Sequence, residues 1–148
     1  MKTKIKLKKM ILTLILLAAG SIVSYAQCGK NVLFSSVETI YLDADGDIQR
    51  TVDEPASIEY GKTNIKLTHG TENEEMNGII KSNTCNWTVP FKEGKSVITA
   101  TFSNNNGDEK DATITIEGKN GKVTLTFEME DMSGRKIQVA ADKFIEKT

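Results

Sequence analysis

Apolar and polar residues alternate most cleanly in the second half of the chain. Ile98, Ala100 and Phe102 interleave with Val97, Thr99 and Thr101; Ala112, Ile114 and Ile116 with Thr113, Thr115 and Glu117; Val123, Leu125, Phe127 and Met129 with Thr124, Thr126 and Glu128. A period of two belongs to a strand with one buried and one wetted face, so three strands are predicted here. Asn120-Gly121 joins the last two. A two-residue type I′ turn needs positive φ at both positions, which Asn and Gly accept most readily. The cluster Asn104-Asn105-Asn106-Gly107-Asp108 makes the preceding connection.

The first half is less regular but has the same character. Strands are expected near Val37 to Leu42, Ile48 to Val52, Ser57 to Tyr60, Asn64 to Thr68, Gly78 to Ser82 and Asn86 to Val89, with a last one near Lys136 to Ala140. Helical spacing is confined to Ala140 to Lys147, where Ala141, Phe144 and Ile145 predict a short terminal helix. Strands spaced about ten residues apart are those of antiparallel sandwiches and meander barrels. The fold expected is therefore all-β, a meander barrel of lipocalin-like size ahead of a β-sandwich, with about eight or nine strands. This succession of up-and-down strands is similar to lipocalin-like and fatty-acid-binding-like barrels. The Gly-x-Trp that lipocalins carry on their first strand is absent near Val32 to Leu42, and immunoglobulin-like domains place their tryptophan between the two cysteines, whereas Trp87 follows the second. No family is therefore recognised.

Residues 1–26 change the picture. Lys2, Lys4, Lys6, Lys8 and Lys9 precede an apolar stretch from Met10 to Val23, and Ser24-Tyr25-Ala26 supplies small residues where a signal peptidase reads. The apolar stretch is shorter than the roughly 20 residues a membrane span requires. Gln27 stands where a lipoprotein signal has a small residue before its cysteine. The expectation is a signal peptide over 1–26 and a single all-β domain over 27–148, secreted or periplasmic in a bacterial envelope. The leader holds five of the nineteen basic residues and none of the twenty acidic ones, leaving fourteen against twenty and a net charge of about −6. That sign disfavours nucleic acid and anionic membranes as partners. Once the leader is gone, only about a third of the residues are apolar, which suits a sheet with one solvated face.

Cys28 and Cys85 are the only cysteines. In an oxidising compartment an even count reads as a disulfide, and neither belongs to a redox Cys-x-x-Cys pair.

Candidate chemistry is sparse. Asp43, Asp45 and Asp47 fall at the first, third and fifth positions of an EF-hand-like loop with Glu54 at the twelfth, a candidate calcium site. The sixth position, where glycine is needed, is Ile48, and the alternating flanks read as two strands, so the stretch is expected to be a hairpin turn that needs no metal. His69, the only histidine, lies in a His-Gly-Thr stretch and reads as a solvated loop residue. No Gly-x-Ser-x-Gly elbow occurs, and no enzyme or cofactor is expected. Trp87, Val89 and Phe91 are placed on one strand face beside the disulfide. With Phe102 and Phe127 they form the candidate lining of a ligand cavity. The function expected is a non-enzymatic binding protein for a small apolar or amphipathic ligand; the alternative is an interaction or adhesion module with a solid core and an envelope protein as partner.

Overall fold

The computed structural model describes residues 27–72 and 74–148, so the signal peptide expected over 1–26 lies outside the described residues. The strands are β1 (Val32–Ser36), β2 (Thr39–Leu42), β3 (Ile48–Val52), β4 (Ala56–Tyr60), β5 (Asn64–His69), β6 (Glu74–Val89), β7 (Glu93–Ser103), β8 (Glu109–Lys119), β9 (Lys122–Met129), β10 (Lys136–Ala140) and β11 (Lys143–Glu146). They form one open antiparallel sheet in the order β11-β1-β4-β5-β6-β7-β8-β9-β10-β2-β3. The described residues are all-β as expected, with eleven strands rather than eight or nine. No helix among the described residues is long and apolar enough to cross a membrane.

The departures from expectation have local causes. Val32–Ser36 forms a strand that the alternation near Val37 does not announce, and Val37 itself lies exposed in the gap between β1 and β2. The two strands expected within 78–89 are one sixteen-residue strand, β6, whose register shifts between Ile80 and Ser82 and again between Trp87 and Val89. A bulge adds a residue and flips the buried face, which breaks the pattern without ending the strand. The terminal helix does not form. Residues 143–146 pair with β1 instead, placing Phe144 inside and Ile145 outside.

β7, β8 and β9 keep the predicted faces: Ile98, Ala100, Phe102, Ala112, Ile114, Ile116, Leu125 and Phe127 are all buried. Asn120 and Gly121 take φ of 53° and 76°, both positive, as a type I′ turn demands.

Strands distant in the sheet order meet through their inner faces. Trp87 of β6 packs on Phe144 of β11 with ring centroids 5.4 Å apart, and Phe34 of β1 lies 5.8 Å from the same ring. Trp87 is almost fully buried and donates its indole N–H to Ser96 Oγ at 2.8 Å. Its slot exists because positions 94 and 118 are glycine: a Cβ on Gly94 would stand 2.4 Å from Trp87 Cα, and one on Gly118 would stand 2.8 Å from Trp87 Cζ3.

Two chain segments belong to both ends of the sheet order. Val32 stands opposite Glu146 and Ser35 opposite Lys143, while Ile40 stands opposite Gln138 and Leu42 opposite Lys136. One register thus runs through 32–42 and 136–146. Asp142 N–H donates to the Ser35 carbonyl at 2.8 Å, and Ala141 N–H to that of Val123 at 2.9 Å, across the gap between β10 and β11. Cys28 and Cys85 form the predicted disulfide, tying the segment before β1 to β6 with Cα atoms 5.9 Å apart. Gln27, buried beside it, accepts a hydrogen bond from the Phe91 amide.

Candidate functional site

β1, β4, β5 and β6 face β9 and β10 across a small apolar cavity of about 140 Å³. Its walls are Phe34, Ile58, Leu67, Met76, Leu125, Phe127, Ile137 and Val139. Each comes from the inward parity of its strand, which is why the lining is apolar: Ile65 and Leu67 point inward on β5, Met76 and Gly78 on β6.

Continuing the same alternation by one step on each strand reaches His69 and Glu74. These two residues also line the cavity and are opposite one another at the end of the β5–β6 ladder. Two inward stripes therefore end in polar side chains. His69 is the last residue of β5 with its side chain 27% exposed, which corrects its reading as a solvated loop histidine. Its Nε2 is buried without a hydrogen bond, and the closest carboxylate oxygen, Glu54 Oε2, stands 3.5 Å away.

Beyond this pair the cavity gives onto a polar depression of about 300 Å³, lined by Tyr41, Glu54, His69, Gly70, Thr71, Glu72 and Glu74. The Tyr41 hydroxyl donates to Glu54 Oε2 at 3.0 Å, and Thr39 Oγ1 donates to the Glu54 carbonyl at 2.9 Å. Arg50, opposite Tyr41 on β3, lies 4.1 Å over the Tyr41 ring. Burial raises the Tyr41 pKa, the Glu54 hydrogen bond and charge add to the rise, and Arg50 opposes it. The phenol is therefore a neutral donor committed to Glu54.

A second concavity, a trough of about 690 Å³, lies at the other end of β4 and β5 between Tyr60, Asn64 and Lys147. It is open, and its charges are already engaged, Lys147 with Glu59 and Lys66 with Glu75.

Of the residues expected to line a ligand cavity, Phe127 borders this one. Phe102 packs edge-on against Phe127 with centroids 6.0 Å apart, and Trp87 belongs to the aromatic cluster around Phe144. Phe91, in the β6–β7 turn with φ of 60°, joins that cluster 5.0 Å from Phe144. Val89 is 44% exposed, because the second bulge of β6 separates its face from that of Trp87.

The acidic stretch at 43–47 is the turn between β2 and β3. Asp43 Oδ1 accepts from the backbone amides of Asp45 and Asp47, and Asp43 Oδ2 from Gln49 Nε2 at 2.8 Å. The β7–β8 turn repeats this pattern: Asn104 Oδ1 accepts from the amides of Asn106 and Asp108, and Gly107 N–H closes onto the Asn104 carbonyl as Gly46 N–H does onto that of Asp43. A neutral amide thus does at 104 what the carboxylate does at 43, so the geometry of this turn needs no cation. Glu54, the twelfth-position ligand of the candidate calcium loop, is turned toward Tyr41 and His69.

Compared with protein-family models, with curated proteins and with solved structures, the chain has no match in any of the three.

Proposed function

We propose that this is a non-enzymatic binding protein of the bacterial envelope or exterior that holds a small apolar or amphipathic ligand between β1, β4 and β5 on one side and β9 and β10 on the other. The observation that carries the reading is the apolar cavity of about 140 Å³ whose inward stripes end in His69 and Glu74 at a polar rim. An apolar concavity with a few convergent polar groups is the general form of a small-molecule site. A dry cavity of about 150 Å³ accommodates benzene, which sets the size of the apolar part.

The sheet is read here as rolled into a barrel, with the segments 32–42 and 136–146 as its seam, since their single register joins the two ends of the strand order. Export fits the Cys28–Cys85 disulfide, which an oxidising compartment maintains, and the basic, apolar leader.

The direct test is ligand-observed saturation-transfer NMR on residues 27–148 with toluene, alongside native mass spectrometry of the undelipidated protein. Transfer to toluene that is lost when Ala56 on the cavity wall is enlarged to Leu supports the reading. Absence of transfer, with only the bare chain mass in repeated preparations, overturns it and favours the alternative of an interaction module docking at the edge strand β3, where Ile48 is 65% exposed.

A further inference from the structure

We infer that the ligand of this cavity carries a compact cationic head, an ammonium or a group of like donor character, on an apolar body of about benzene size. The inference rests on the proposed binding function and names the chemical class of the ligand.

Carboxylates dominate the mouth, where Thr71 adds a hydroxyl that can donate as well as accept. Glu54, Glu72 and Glu74 line the depression, and ionised carboxylates only accept. The one phenolic hydroxyl there, that of Tyr41, is spent on Glu54. The Gly70 amide is spent on the Pro55 carbonyl at 3.0 Å. His69 Nε2 is buried in the wall shared by cavity and depression and faces Glu54 Oε2 at 3.5 Å. A ligand head that supplies several donors and no acceptor answers the carboxylates, and an ammonium is such a group.

Charge selects in the same direction. No lysine or arginine is among the described residues lining the depression, and the nearby guanidinium of Arg50 is stacked on the Tyr41 ring. A carboxylate head would be set among three like charges, and a fatty-acid chain exceeds the available volume. The net charge of about −6 over 27–148 also draws cations toward the surface.

Glu74 ties head to body. It continues the alternation of Met76 and Gly78 to an exposed position and lines both the apolar cavity and the polar depression, so a cation held by its carboxylate lies at the junction of the two.

The test is calorimetric titration of residues 27–148 with three probes of similar size: toluene, 2-phenylethylamine and 3-phenylpropionate. The amine is expected to bind about tenfold tighter than toluene, the ratio one charge-assisted hydrogen bond supplies, and the propionate weakest. Glu74→Gln should bring the amine down to the affinity that the variant itself has for toluene, and a far-UV circular dichroism spectrum like the parent's shows that the variant is folded. Toluene binding with no preference for the amine would overturn the head-group inference and leave the cavity reading intact. If none of the three binds, the proposed function itself fails.

Discussion

Leu125→Ala probes the cavity from its β9 wall. Leu125 is 3% exposed, stands opposite Ile116 and Val139 on the neighbouring strands, and borders the existing space, so the carbons it loses enlarge a cavity that is already open on that side. Buried leucine-to-alanine changes cost about 2.7 to 5 kcal/mol, with the larger values where the void does not collapse, so a loss of about 4 kcal/mol is expected. With an unfolding entropy of roughly 2.1 cal/mol/K per residue over about 122 residues, this lowers Tm by about 15 °C. The enlarged space should admit a longer body. In differential scanning fluorimetry, 4-phenylbutylamine at about a hundred times its Kd should restore about 2.7 kcal/mol, or about 10 °C, to the variant. The parent protein should prefer 2-phenylethylamine. A loss of less than about 5 °C in Tm would show that Leu125 is not packed as described, and a full loss without change in probe preference would show that the space beside it is not the binding cavity.

Further expectations concern the staple, the turn and pH. Replacing both Cys28 and Cys85 with alanine opens a loop of 57 residues and should lower stability by about 4 kcal/mol in chemical denaturation; a loss below about 1 kcal/mol would contradict the loop-entropy origin. Asp43→Asn keeps the Oδ1 acceptor that Asn104 uses in the sister turn and should change Tm little, whereas Asp43→Ala should cost about 1 kcal/mol and calcium should shift neither. A calcium-dependent rise in Tm that Asp43→Ala abolishes would restore the metal reading. Burial raises the Tyr60 pKa strongly, so the folded chain keeps a proton that the unfolded chain releases near pH 10. That stabilisation is complete below pH 10 and is lost as pH rises through the folded-state value, by up to about 1.4 kcal/mol per pH unit. Tyr60→Phe should flatten the alkaline limb of the stability curve, and an unchanged limb would assign it to other groups such as Tyr41.

The β7–β9 meander was legible in the sequence because nothing interrupts its alternation and its turns carry Asn and Gly where positive φ is required. β6 was not, since two bulges change its buried face twice within one strand. The short β11 was hidden by chance helical spacing; its helical alternative would leave the β1 edge unpaired. The candidate site was legible in part. Ile65-x-Leu67-x-His69 places the histidine on an apolar stripe, and Glu74-x-Met76-x-Gly78 does the same for the glutamate, so both belonged to the core face by parity alone. Which strands face one another across the cavity depends on how far the sheet curls, and no local pattern encodes that. Phe127 was identified for its size and turned out to line the space; Trp87 shared the same merit and packs in a glycine slot elsewhere.

The pairing of 32–42 with 136–146 also bears on when this protein becomes itself. β1 has no partner on its β11 side until Glu146 has left the ribosome, and Lys147 N–H closes the end of the ladder on the Asn31 carbonyl at 2.8 Å. Contacts that span nearly the whole chain make loop closure the slow step of folding. A polypeptide with this arrangement leaves β1 paired on one side only until residues 143–146 have been made, so its N-terminal strands stay incompletely paired through most of the synthesis of residues 27–146.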